Sequence, residues 1–261
     1  MNYEKTMSPT KKTAFLTLSV LDLTSLNNDD TSADIEALCD KAISRYGTVA
    51  AVCVWPKFVK LAADILKGNS VRVAAVANFP EGSSDIESSV KTCEQIVNDG
   101  GQEVDVVFPY SAFLSGDKTI GAELVAACKA ACGDSATLKV IIETGELKTT
   151  DLIKEASQIA LDSGADFIKT STGKVAVSAT PEAAKAMLEV LRDTKSNAGF
   201  KAAGGIKDIE TAAEYISLAE KIMGKDWVTA NNFRFGASGI IDNLFAIIRN
   251  EKPNNIQTKG Y

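Results

Sequence analysis

Three ionisable residues fall inside short apolar runs. Lys169 lies in Asp166-Phe-Ile-Lys-Thr-Ser-Thr-Gly-Lys174, Lys201 in Gly199-Phe-Lys-Ala-Ala-Gly-Gly205, and Asp105 in Glu103-Val-Asp-Val-Val-Phe-Pro109. Such runs read as buried strands, along which side chains alternate between two faces. Phe167, Lys169 and Ser171 then share the inward face, while Ile168 and Thr170 face outward. The same alternation turns Lys201 and Asp105 inward. Burying a charge is costly, and an unpaired buried lysine tends to lose its proton. A neutral lysine amine attacks carbonyl carbon and forms a Schiff base. The reference pKa of about 10.4 must fall by several units for this at neutral pH, and burial and a second ammonium, Lys201, both push it down. Asp105 can hold Lys201 and relay protons through water. The competing reading is a set of buried ion pairs without chemistry. Two lysines and an aspartate, all inside apolar runs, favour a site.

The 261 residues contain no histidine, which removes histidine triads, histidine metal ligands and imidazole bases. No metal and no cofactor are expected. Five cysteines, Cys39, Cys53, Cys93, Cys128 and Cys132, form no CxxC pair. Their odd number suits free thiols in a reducing cytosol. Cys53, in Ala50-Ala-Val-Cys-Val-Trp-Pro56, reads as a small packing residue. Cys128 and Cys132 are one helical turn apart, and two thiols alone make a poor metal site.

Glycines mark a second chemistry. Gly204-Gly205 closes one apolar run and Gly236-Ala-Ser-Gly239 another, each just before a helical pattern. Backbone amides at helix starts suit phosphate; the plainer reading is a pair of tight turns. Gly173-Lys174 adds an amide and a positive charge. Asp22, in Leu21-Asp-Leu-Thr24, is either a turn residue or part of the site. Glu143 is either polar lining or a site residue. Tyr261, the last residue, reads from composition as a mobile end.

The elements that must position these groups alternate along the chain. Strands are predicted at Thr17–Asp22, Val49–Trp55, Val71–Asn78, Glu103–Phe108, Leu138–Glu143, Asp166–Thr170, Gly199–Ala203 and Asn232–Gly236. Helices are predicted at Thr31–Arg45, Pro56–Leu66, Ser84–Asn98, Gly121–Cys132, Thr150–Ser163, Pro181–Thr194, Ile209–Met223 and Ser238–Arg249. Thr180-Pro181-Glu182 is the strongest start signal, a capping hydroxyl followed by proline and an acid. Eight strand–helix pairs imply parallel strands with right-handed crossovers. Eight strands favour closure into a (β/α)8 TIM barrel of one domain, with its site at the C-terminal strand ends. Residues 1–12 read as a polar N-terminal extension and 251–261 as a mobile tail.

A net charge of -6 gives no broad basic face, which argues against a nucleic-acid partner. No apolar run approaches membrane-spanning length, and Met1–Lys12 lacks a signal-peptide core. A cytoplasmic location is expected.

Over nearly its whole length the sequence resembles the bacterial class I deoxyribose-phosphate aldolases. The likeness is carried by Leu21-Asp-Leu-Thr24, Ala75-Val-Ala-Asn-Phe-Pro80, Glu103 to Tyr110, Lys139-Val-Ile-Ile-Glu-Thr-Gly-Glu146, Asp166 to Lys174, Gly199 to Gly205 and Phe233-Arg-Phe-Gly-Ala-Ser238. The resemblance implies Lys169 as the Schiff-base lysine, Lys201 as the lysine that perturbs it, and Asp105 as its acid/base partner. It places Gly173, Lys174, Gly204, Gly205, Lys207, Gly236 and Ser238 in the phosphate-binding region. It sets Asp22, Thr24 and Cys53 beside the substrate pocket and gives Tyr261 a role in proton transfer. It implies sugar-phosphate and aldehyde substrates, deoxyribonucleoside catabolism, and a homodimer as one available assembly. Two departures stand out: Gly239 replaces a frequent second serine, and Ala202 a frequent proline. A lysine aldolase acting on ketose phosphates, and a barrel that binds sugar phosphate without turnover, are the alternatives.

Overall fold

A computed structural model describes residues 7–252. Eight parallel strands, β1 (Leu21–Thr24), β2 (Ala51–Val54), β3 (Arg72–Ala77), β4 (Glu103–Val107), β5 (Thr137–Ile141), β6 (Phe167–Lys169), β7 (Gly199–Ala203) and β8 (Phe233–Ala237), close into a barrel. Neighbours in the ring are neighbours in sequence, and β1 pairs with β8 to seal it. This is the predicted (β/α)8 barrel.

Residues alternate between the two faces of each strand. Val52, Val54, Val73, Ala75, Val104, Val106, Leu138, Val140, Ile168, Phe200, Phe233 and Phe235 belong to the large buried cluster between barrel and helices. Each valine, leucine, isoleucine or phenylalanine among them contributes roughly 1.5–3 kcal/mol through burial. The inner face is divided. Ala51, Cys53, Ala74 and Val76 form a small apolar cluster on β2 and β3. The remaining strands turn buried charges inward: Asp22, Glu103, Asp105, Lys139, Lys169, Lys201 and Arg234.

Several helices start where a side-chain cap fixes them. Thr31 and Asp34 form a reciprocal capping box at Ser32–Ala42. Thr180 Oγ1 accepts from the Ala183 amide at 3.1 Å, with Pro181 in the first helical turn.

The N-terminus departs from expectation. Pro9–Ser19 is a helix, and β1 begins only at Leu21. Residues 17–19 are therefore helical, and residues 9–12 are the start of a helix rather than part of an extension. Ser8 caps the helix by accepting from the Lys11 amide at 3.3 Å, and Pro9 opens it. Burial of Ala14 and Leu18 against the outer core settles the choice, overriding the β-branched character of Thr17–Asp22. Residues 43–48, predicted as helix end and loop, form a small antiparallel hairpin. Two further short helices, Tyr110–Leu114 and Thr144–Leu147, follow β4 and β5.

Candidate active site

Lys169 is the last residue of β6, at the C-terminal end of the barrel, and its side chain is 2% exposed. The register sets Lys169 beside Lys201, and Lys201 beside Arg234, on three adjacent strands. Asp105 stands across from them: its Oδ2 accepts from Lys169 Nζ at 2.7 Å and from Lys201 Nζ at 2.8 Å. Its Oδ1 accepts from Lys139 Nζ at 2.8 Å. Lys201 Nζ also donates to Asp22 Oδ2 at 2.5 Å, and Arg234 Nη1 donates to Asp22 Oδ1 at 2.6 Å. Arg234 Nη2 and Lys139 Nζ share Glu103, at 2.8 and 2.5 Å. The phenyl ring of Phe167 lies 5.7 Å from the Arg234 guanidinium carbon. A Cβ on Gly199 would come within 2.2 Å of that ring, so only glycine leaves it room.

Four cationic side chains thus meet three carboxylates inside the ring. Buried charge demands compensation, and the set balances when one lysine is neutral. Burial pushes Lys169 below the ordinary lysine range; Asp105 opposes this and Lys201 reinforces it. For Lys201 burial also disfavours the ammonium, but Asp105 and Asp22 outweigh it and hold the pKa far above the usual range. For Lys139 burial is likewise outweighed, here by Asp105 and Glu103, and the pKa is raised. Burial disfavours ionised Asp105, yet Lys139, Lys169 and Lys201 together hold it well below the carboxylate range. Of the three lysines, Lys169 alone is made less basic by its surroundings.

Lys139, Glu103 and Arg234 were absent from the sequence-based site, which counted two lysines and one carboxylate on the inner face. Lys139 and Arg234 carry the same signal that marked Lys169, a charge inside an apolar strand. Glu103 stands first on β4, where a strand start and a loop end look alike.

Thr24 ends β1, and its hydroxyl donates to the Asp22 carbonyl at 2.9 Å. Cys53 faces inward from β2 and is fully buried. Burial, with Asp105 nearby, pushes its thiol up to about 11 against the pull of the lysines. It is a protonated packing residue at neutral pH. Glu143, just past the end of β5, opens the helix Thr144–Leu147 at a left-handed φ of 55°. Its carboxylate accepts from the Thr172 amide at 3.2 Å and hydroxyl at 2.6 Å, fixing the turn that leads into Gly173.

A cavity of about 280 Å³ opens at the ends of β6, β7 and β8. Gly173, Gly204, Gly205, Lys207, Gly236 and Ser238 all line it. Gly204 and Gly205 both take left-handed φ, and a Cβ on Gly204 would meet Ser178 at 2.5 Å. Gly239 also lines the cavity and starts the helix Ile240–Ile248 without a capping side chain. The positive end of that helix suits an anion. Lys174 is not part of this wall: its ammonium donates to the Leu26 carbonyl at 2.9 Å. Tyr261 lies outside the described residues. Among the described residues no helix is long and apolar enough to cross a membrane.

A cluster of buried ionisable residues inside an eight-stranded α/β barrel, with Lys169 at a strand end and a glycine-lined cavity at the same mouth, defines a barrel enzyme. The chain belongs to the DeoC/LacD family of aldolases, whose family model matches residues 16–238. It is thus an aldolase, a carbon–carbon lyase. It is similar to a Coccidioides immitis protein assigned as a deoxyribose-phosphate aldolase. The two share 30% identity over 88% of this chain and 86% of that one, with a TM-score of 0.78. It is also similar to an aldolase designated QR15, at 31% identity over 88% of this chain and 96% of the other, with a TM-score of 0.74. The fold alone is shared with a deoxyribose phosphate aldolase of Aeropyrum pernix, described as tetrameric. That protein is 21% identical over 92% and 98% of the chains, with a TM-score of 0.72.

Proposed function

We propose that the chain reversibly cleaves 2-deoxy-D-ribose 5-phosphate into D-glyceraldehyde 3-phosphate and acetaldehyde through a Schiff base on Lys169, in deoxyribonucleoside catabolism. The observation that carries this reading is the buried amine of Lys169, lowered in basicity by burial, at the mouth of a barrel with an anion-suited cavity. The neutral amine adds to the aldehyde carbon of the open-chain sugar, and loss of water gives an iminium. A base removes the proton of the C3 hydroxyl. The C2–C3 bond then breaks, its electrons flow into the iminium, and glyceraldehyde 3-phosphate leaves. The remaining enamine takes a proton at C2, and water hydrolyses the iminium to acetaldehyde and free lysine.

Asp105 serves this sequence in a particular way. A carboxylate 2.7 Å from the nitrogen opposes neutrality of the free amine. It also stabilises the iminium cation, which forms at the same atom. Its depressed pKa keeps it ionised, so it steers protons through hydrogen bonds to Lys201 and water.

Borohydride trapping with acetaldehyde, read by peptide mass spectrometry, tests the reading. A reduced ethyl adduct confined to Lys169 is expected; a folded protein without one removes the mechanism. Turnover with dihydroxyacetone phosphate as donor, and none with acetaldehyde, would shift the substrate to ketose phosphates. The cavity is tested separately by Gly204→Ala, which forces a Cβ into Ser178 and strains a left-handed backbone. KM for deoxyribose phosphate is expected to rise at least about tenfold, while trapping with acetaldehyde, which carries no phosphate, stays intact. An unchanged KM would take the phosphate out of this cavity.

A further inference from the structure

Two buried residues of the charged cluster take no part in the chemistry above. Arg234 binds both Asp22 and Glu103, and Glu103 in turn binds Lys139. We infer that Arg234 and Glu103 are positioning residues that set the protonation of Lys169, acting in opposite directions through the charge balance of the ring. This rests on Lys169 being the Schiff-base lysine.

The groups acting on Lys169 are Asp105 from β4, Lys201 from β7 and Cys53 from β2, with Glu143 beyond the end of β5; Lys139 from β5 and Asp22 from β1 join them through Asp105 and Lys201. Arg234 and Glu103 lie one link further out. They touch Lys169 only through Asp22, Lys201, Lys139 and Asp105, so any influence passes through charge and not through contact. Arg234 occupies one carboxylate oxygen of Asp22, leaving the other to Lys201. With Lys139, Lys201 and Arg234 charged, three cations meet Asp22, Glu103 and Asp105, and Lys169 needs no proton. Without the guanidinium, the balance is restored only if Lys169 is protonated. Without the Glu103 charge, the ring already holds an excess of cation, and Lys169 is driven further from its charged form. Burial keeps these interactions strong, since Arg234 is 4% exposed at its side chain and Glu103 fully buried. Arg72 reaches Glu103 at 3.5 Å from the solvent side, but it is half exposed and screened.

The test is the pH-dependence of the rate of acetaldehyde adduct formation on Lys169, trapped by borohydride. Arg234→Met is expected to move the midpoint to higher pH by about one unit, and Glu103→Gln to lower pH by a comparable amount. Arg234→Lys, which keeps the charge, is expected to leave the midpoint near that of the unaltered protein. A structural disturbance would not move two variants in opposite directions. If Arg234→Met does not fold, the nearly isosteric Glu103→Gln decides alone. An unmoved midpoint there, a move to higher pH, or shifts of the same sign in both variants overturns the inference. An unaltered protein that gives no adduct on Lys169 defeats the Schiff-base reading itself, and this inference with it.

Discussion

Lys169→Met is expected to lower retro-aldol turnover of deoxyribose 5-phosphate by at least about 10⁴-fold while the barrel stays folded. The two halves of this expectation have separate causes. Methionine has no nucleophile, so the covalent route through an iminium is closed. It nearly matches the volume of a neutral lysine, and removal of an uncharged amine leaves the remaining cations and carboxylates of the ring in balance. Replacing buried polar groups by apolar ones of similar volume is commonly close to neutral for stability. Thermal melting followed by circular dichroism is expected to stay within a few degrees of the unaltered protein. Residual turnover above about one per cent would remove Lys169 as the nucleophile. A collapse of the melting temperature would show that Lys169 is charged in the resting protein and part of an ion pair. Lys169→Arg, whose guanidinium cannot lose its proton, is expected to be equally inactive and less stable, because it adds an unbalanced charge.

Lys201→Met is expected to cut kcat/KM at pH 7 roughly 100-fold, with part of the loss recovered at higher pH. Lys201 disfavours a second ammonium beside it, so its removal raises the pKa of Lys169. The neutral amine is then scarce at pH 7 and more abundant as pH rises. The acid limb of the pH–rate profile therefore moves to higher pH. Burial remains the largest influence on Lys169, so the shift is partial and some activity survives. Lys201 also binds both Asp22 and Asp105, and a loss of orientation would lower the rate at every pH alike. A profile that falls uniformly without moving would assign Lys201 to orientation only. Unchanged activity at pH 7 would exclude both roles.

The barrel was legible because each strand announces itself locally. An apolar run, a break and a helical pattern recur eight times, and closure follows from the count. The convergence of Lys169, Lys201 and Asp105 on the barrel interior was legible because a charge inside an apolar run is conspicuous against the cost of burying it. The same criterion applied to every strand would have added Lys139 and Arg234. The pairing of Asp22 with Lys201 and Arg234 was not legible, since it depends on which strands meet after the ring closes. Lys174 shows the opposite limit. Its neighbour Gly173 lines the cavity, yet a long flexible side chain carries its ammonium to the Leu26 carbonyl, and sequence adjacency says nothing about that choice. The helix at Pro9–Ser19 was hidden because its apolar residues also alternate as a strand would. Its Ser8-Pro9 start signal was the better guide.

The ion pair between Asp22 and Arg234 joins residues 212 positions apart. It fastens the first strand of the barrel to the last, across the seam that completes the ring. Contacts of such long sequence separation are slow to form, because the chain entropy of a very large loop is lost before they return any energy. During synthesis, β1 emerges early and waits for almost the entire chain before its partner exists. Until β8 docks, Asp22 and Glu103 have no guanidinium between them, and the ring stays open on that side to water. If Lys169 is the Schiff-base lysine, its nucleophilicity is expected only once the final strand has closed the ring around it.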